Sequence, residues 1–163
     1  MGELAVMNSR LGRKSHLERI LDEVKDRDVS GPAVSLLEGA RQGLWSMNNM
    51  PGRSFLCGPM ALDRVRVARG LRPFDPKILA MKSTLDGTSL SQVFELSESL
   101  GMGMRTAHRE AGAELLLPAV IHWKVGHFAA LVRKEGDRYL AQDPTFGDEY
   151  WVSQATIDAE ASG

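Results

Sequence analysis

An α+β fold, with helices first and an antiparallel sheet after them, is what this sequence predicts, on three observations. Apolar residues recur at helical spacing from Leu17 to Leu100. After Glu110 the period changes to short apolar runs rich in Val, Ile, Phe and Tyr. Hydrophilic turns separate those runs at intervals too short for the long crossovers that parallel strands need.

The elements follow in order. Ser15 and Glu18 stand at capping-box spacing, and Leu17, Ile20, Leu21 and Val24 then share one helical face, so a helix is expected over 15–27. Ser30-Gly31-Pro32 interrupts the chain and opens a second helix over 32–46, with Pro32 in a first turn where its missing N–H costs nothing. Its stripe is Ala33, Leu36, Leu37, Ala40 and Leu44. The pair makes a helical hairpin, so residues 1–50 are expected as an N-terminal extension and 51–163 as the main domain. Asn48-Asn49-Met50-Pro51-Gly52 reads as a loop.

Beyond it, Pro59 suits a first helical turn, Leu62, Val65 and Ala68 continue the helix, and Gly70 can end it. Cys57 therefore falls at or just before a helix N-terminus. Ser89 with Gln92 announces another helix carrying Leu90, Val93, Phe94, Ser97 and Leu100, which Gly101 stops. Strands are expected at 118–121, 128–132, 139–141 and 150–152. Lys134-Glu135-Gly136-Asp137 and Pro144-Thr145-Phe146-Gly147 are the turns.

Composition narrows the function classes. The 163 residues are 43% hydrophobic and 25% charged, enough for a real core without staples. A formal net charge of -1 gives no reason to expect nucleic acid or an anionic membrane as partner. Arg10, Arg13, Lys14 and Arg19, and again Arg64, Arg66, Arg69 and Arg72, read as solvated helix faces. A single cysteine forbids an intramolecular disulfide. No apolar run reaches membrane-spanning length and no signal core opens the chain, so the default expectation is a cytoplasmic location. One cysteine and four dispersed histidines match no usual metal spacing, and Gly101-Met102-Gly103 lacks the rest of a nucleotide fingerprint, so neither metal nor cofactor is expected.

A lone cysteine is ordinarily a small buried hydrophobe. Cys57 differs because a helix N-terminus would stabilise its thiolate and Gly58 would leave space beside the sulfur for a substrate carbonyl. His127 heads one strand and Asp143 ends the next. If segments 127–132 and 138–143 pair about the centre of their turn, the two fall together at the open end of a hairpin. Asp143 would then fix the imidazole tautomer while the other ring nitrogen takes the Cys57 proton. Other readings stay open: Asp143-Pro144 as a plain turn, His127 as a satisfied core residue, and His122 as a rival base. A strand carrying both His122 and His127 would turn them to opposite faces. His16 and His108 look like surface residues.

Cys57-Gly58-Pro59-Met60-Ala61-Leu62, Thr88-Ser89-Leu90, Leu117-Pro118-Ala119-Val120-Ile121-His122-Trp123, Gly126-His127-Phe128 and Asp143-Pro144 together resemble the bacteriocin-processing cysteine peptidases. These are papain-like leader-peptidase domains best known at the N-termini of bacterial peptide exporters, and the likeness spans roughly residues 52 to 155. The resemblance implies a papain-like fold that hydrolyses a peptide bond after a glycine-rich leader ending, with Cys57 as nucleophile, His127 as base and Asp143 as orienting acid. A peptide or protein is then the substrate.

The chain departs from the family in one respect. Family members carry a glutamine just before the cysteine as an oxyanion donor, and residues 51 to 56 contain none. Gln42 is too far upstream, which leaves Asn48, Asn49, Arg53 or Ser54 beside the Cys57 backbone N–H. That departure keeps a weak or inactive peptide-binding module in play, and the same triad would also serve acyl transfer or deamidation. Helices 15–27 and 32–46 resemble a tetratricopeptide-like hairpin, which suggests a peptidase module embedded in a larger bacterial protein.

Overall fold

The computed structural model describes the backbone of residues 1–163 and every side chain other than that of Asp148. The chain forms two compact units, residues 1–55 with 83–87, and residues 56–82 with 88–163.

The first unit contains α1 (Gly2–Arg10), α2 (Lys14–Val24), α3 (Pro32–Asn49) and the single turn α4 (Pro51–Ser54). It is a three-helix core rather than a hairpin. Helix α1 carries no broad apolar stripe; Gly2, Ala5 and Asn8 form its buried face. Small residues let it lie tightly on α3, where a Cβ added at Gly43 would sit 1.9 Å from Ser9 Oγ. A contact made by missing side chains leaves no hydrophobic period to read.

Gly12 (φ 67) ends α1, with Arg13 N donating to Asn8 O and Gly12 N to Ser9 O. The chain re-enters a helix at Lys14 at once, so Ser15 lies inside α2 and no side chain caps it. The expected capping box is absent for that reason. The expected 48–52 loop is likewise replaced, because Asn49 donates to Trp45 O and Met50 N to Ser46 O, carrying α3 onward until Pro51 opens α4. Leu17, Ile20, Leu21 and Val24 pack with Leu37, Ala40, Met47 and Phe55 in this unit's core.

The second unit contains α5 (Cys57–Ala68), α6 (Pro76–Leu79), α7 (Leu90–Ser99), β1 (Ala119–Trp123), β2 (His127–Glu135), β3 (Arg138–Asp143), β4 (Asp148–Ser153) and α8 (Gln154–Glu160). The strands form one antiparallel sheet in the order β1-β2-β3-β4. This is the expected α+β arrangement. Ala61, Leu62 and Val65 of α5 pack with Val93, Leu96, Phe128 and Ala130. Ile121, Ala129, Leu131, Tyr139 and Ala141 pack on the opposite side around Ile157 of α8. Helix α8 is a late addition to the predicted order, since one buried residue in seven makes no period; its start is marked by Ser153 Oγ accepting from Thr156 N.

Helix ends in this unit follow sequence chemistry. Ser89 and Gln92 make a reciprocal capping box at α7. Gly70 and Gly101 close α5 and α7 in left-handed turns, with Leu71 N donating to Arg66 O and Met102 N to Ser97 O. The arginines of α5 do not all face water as expected. Arg66 is buried, bonding Asp63, Asp75 and the Arg72 carbonyl, while both Asp63 oxygens also accept from Phe74 N. A charged side chain enters the interior here because a buried carboxylate is there to meet it.

The β2–β3 register departs from pairing about the centre of the turn. Gly136 (φ 61) and Asp137 make a two-residue turn of type II′ character, so Glu135 faces Arg138 and Arg133 faces Leu140. Val132 is then an extra residue, after which Leu131 faces Ala141 and Ala130 faces Gln142. Continued by one residue, this register sets Asp143 opposite Ala129, on the side of β2 that alternation gives to His127. Without the extra residue Asp143 would face Ala130 and turn to the other side.

Among the described residues, no helix is long and apolar enough to cross a membrane. Replacing Ser89 by Ala, which removes one half of the α7 capping box, is expected to lower stability by about 1 kcal/mol in urea unfolding, with no change of secondary structure by circular dichroism.

Candidate active site

Cys57 is the first residue of α5, and Leu56 at the N-cap offers no side-chain cap. The orphan N–H groups of this turn are therefore free to serve the sulfur, and Pro59 removes one competing donor. The His127 side chain and the backbone N–H groups of Phe128 and Gly58 all act on the Cys57 sulfur in favour of its thiolate. The thiol is only partly buried. Gly58 does not open space for a substrate, as its type suggested. A Cβ there would meet Val93 Cγ2 at 2.6 Å and Phe128 Cδ2 at 3.4 Å, so the glycine is there to let α5 settle against α7 and β2.

His127 begins β2 directly after Gly126 (φ 77), whose N–H closes the β1–β2 turn on Trp123 O. Its Nε2 lies 2.7 Å from Asp143 Oδ2. That leaves Nδ1 as the ring nitrogen for Cys57. Imidazole and carboxylate are almost wholly buried, at 4% and 3% exposure. Asp143 also does what Asp-Pro does in a turn: Oδ1 accepts from Thr145 N at 3.0 Å and Phe146 N at 3.4 Å, and its carbonyl accepts from Gly147 N. One oxygen thus serves the turn and the other meets the imidazole. The Tyr150 hydroxyl donates to Oδ2 across 3.5 Å, and the Phe146 ring stands edge-on to the imidazole at 5.8 Å.

The electrostatics follow from this geometry. Burial works against a Cys57 thiolate, but the His127 hydrogen bond, the Phe128 and Gly58 N–H groups and the His127 charge outweigh it, so the thiol titrates below its ordinary value. Burial also disfavours protonated His127. The Asp143 and Cys57 hydrogen bonds and charges overcome it and raise the imidazole to about 9. Both shifts run in the direction of a thiolate beside an imidazolium.

The other candidates separate cleanly. His122 lies on β1, a different strand from His127, opposite Phe128; its Nδ1 meets Ser162 Oγ at 2.8 Å and its ring packs on the Phe128 ring. Burial and the neighbouring His127 charge lower its pKa. Its side-chain bond goes to Ser162, not to Asp143 or Cys57. His16 and His108 are exposed. Asn49 and Ser54 spend their side-chain donors on local carbonyls, Trp45 O and Met50 O. No metal-binding cluster occurs among the described residues. The structure adds Phe128 N–H, Phe146 and Tyr150 to the site. Phe128 and Phe146 belong to segments the sequence already offered, whereas Tyr150 enters only through the β3–β4 register, which no motif carries.

Similarity to known proteins falls in the same part of the chain. The model of the peptidase C39 family matches residues 57–163, from the cysteine at the head of α5 to the end of the chain. The chain belongs to the peptidase C39 family. Among its relatives, it is 33% identical over 66 residues to the probable microcin-H47 secretion/processing ATP-binding protein MchF of Escherichia coli. It matches the colicin V secretion/processing ATP-binding protein CvaB of the same organism to the same extent. Each alignment covers 39% of this chain and 10% of the relative's length. No solved structure matches significantly.

The C39 match starts at Cys57, so the packing beneath that residue is open to test. Gly58→Ala is expected to cost about 1–3 kcal/mol of stability through overpacking against the stiff Val93 side chain. It should also slow iodoacetamide labelling of Cys57 at neutral pH; unchanged stability and labelling would show that the helix has room to spare.

Proposed function

We propose that this chain is a cysteine peptidase whose nucleophile is Cys57, with His127 moving the proton and Asp143 holding the imidazole. The observation that carries the reading is the bond between Asp143 and a buried His127 whose ring in turn favours a thiolate on Cys57, the first residue of a helix.

In this mechanism the Cys57 thiolate adds to the carbonyl carbon of a peptide bond, and the Cys57 N–H receives the negative charge that develops on the carbonyl oxygen. The His127 imidazolium gives its Nδ1 proton to the departing amine as the C–N bond breaks, leaving a thioester on Cys57. Water then attacks the thioester while neutral His127 takes its proton. The C–S bond breaks and the thiolate–imidazolium pair is restored. Asp143 stays ionised throughout and keeps Nε2 protonated, so that Nδ1 always faces the sulfur. An oxyanion site without a glutamine donor should run roughly 100- to 1000-fold slower than one that has it.

The relatives are described as secretion and processing proteins. By analogy, the substrate here is a peptide precursor cut at the end of its leader, by a module of a larger protein. Residues 1–50 would then be a helical extension and 51–163 the peptidase domain.

Cleavage of a peptide library, read by mass spectrometry, tests the assignment. Cys57→Ala should abolish cleavage, whereas His122→Ala should leave most of it; full activity in Cys57→Ala overturns the reading. The rate should also depend on pH with a defined sign. The acid limb should lie below the ordinary cysteine range, because protonation of Cys57 removes the nucleophile. Activity should fall again as pH rises through about 9, where His127 loses the proton needed by the leaving amine. Asp143→Asn removes the contact that raises His127, so it should lower kcat by orders of magnitude and move the alkaline limb downward.

A further inference from the structure

Asp143 holds more partners than an orienting carboxylate needs. Oδ1 is fixed by the Thr145 and Phe146 N–H groups of the turn, so the plane of the carboxylate is set without help from any side chain. Oδ2 is shared between His127 Nε2 at 2.7 Å and the Tyr150 hydroxyl at 3.5 Å. Tyr150 faces Ala141 across the β3–β4 ladder, which sets it on the same side of the sheet as Asp143 two residues on. We propose that Tyr150 is a positioning residue acting through Asp143: its hydroxyl draws charge from the oxygen that His127 uses and so limits how tightly the carboxylate holds the imidazolium.

The hydroxyl is suited to that part. Burial and the Asp143 charge push Tyr150 up to about 12, so it remains a donor across the range in which Cys57 and His127 titrate. The residue is 36% exposed, which leaves its ring at the rim of the site and its oxygen turned inward to Asp143. The other groups acting on His127 are Cys57 from α5, Asp143 from β3 and His122 from β1. Next to Tyr150 on β4, Glu149 is engaged by Gln142 Nε2 and does not compete for the hydroxyl. If His127 is the general acid of the proposed peptidase, the consequence is chemical. A carboxylate left to His127 alone would keep the imidazolium longer, and a reluctant acid slows departure of the amine.

The sign of the effect separates tuning from scaffolding. His127 is followed by NMR titration of its ring in the full 163-residue chain, in the parent and in Tyr150→Phe. The midpoint should rise from about 9 by roughly half a unit, the scale of one weak hydrogen bond, with the thermal midpoint of unfolding unchanged. In an Asp143→Asn background, the same Tyr150→Phe change should move nothing. Replacing the two tyrosines of the chain by 3-fluorotyrosine, a stronger donor, should move His127 downward and serves if the Phe variant is unstable. An unmoved or lowered midpoint in Tyr150→Phe overturns the proposal, as does a rise of equal size without the Asp143 carboxylate. The titration needs no substrate, so a failed peptidase assay and a failed Tyr150 assignment are told apart.

Discussion

A carboxylate sealed inside a small protein must be met by hydrogen bonds or cost several kilocalories per mole, and Asp143 is met on both oxygens. Its bond to His127 is the constraint around which the second unit is arranged. The turn after Asp143 folds back so that two backbone N–H groups hold one oxygen, leaving the other to point at the imidazole. Gly126, in a conformation that side chains avoid, brings His127 to the first position of β2. The unpaired Val132 adjusts the ladder by one residue, which keeps acid and imidazole on one side of the hairpin. None of these features is chemical in itself. Each is a way of delivering two side chains to one place.

The sulfur is delivered by different means. An α-helix that starts at Cys57 supplies oriented N–H groups at no further cost, and the sheet contributes the Phe128 N–H from the residue after His127. For that, α5 must lie close to β2, and Gly58 is what makes the approach possible. The far end of α5 is pinned by Asp63 and Arg66, which gather the 72–75 loop against the helix. Burying such a pair is weak evidence for stability, but breaking it would leave a charge stranded inside. It ties the 72–75 loop to the helix that begins with the sulfur.

Much of this is legible in the sequence. The apolar period places α2, α3, α5 and α7, and the Ser89–Gln92 box and the glycines at 70 and 101 mark helix ends where they occur. The three candidate site residues stand out by type and setting: a cysteine before a helix, a histidine opening a strand, an aspartate before a proline. What escaped has a shared cause. Helix α1 packs through glycine, alanine and serine, and α8 through one isoleucine, so neither writes a hydrophobic stripe. Arg66 looks like a surface arginine until the carboxylates around it are known.

Local chemistry, then, was set by the sequence alone: which segments coil, where they stop, and which side chains could make a thiolate and hold a proton. The fold decided the rest. Whether Asp143 meets His127 depends on a one-residue offset between two strands, and a ladder with period two turns any such slip into a change of face. Tyr150 enters the site by the same route, through register with Ala141 rather than through any motif. Proximity between distant residues is a property of strand pairing and helix packing, and those are settled by the whole core at once.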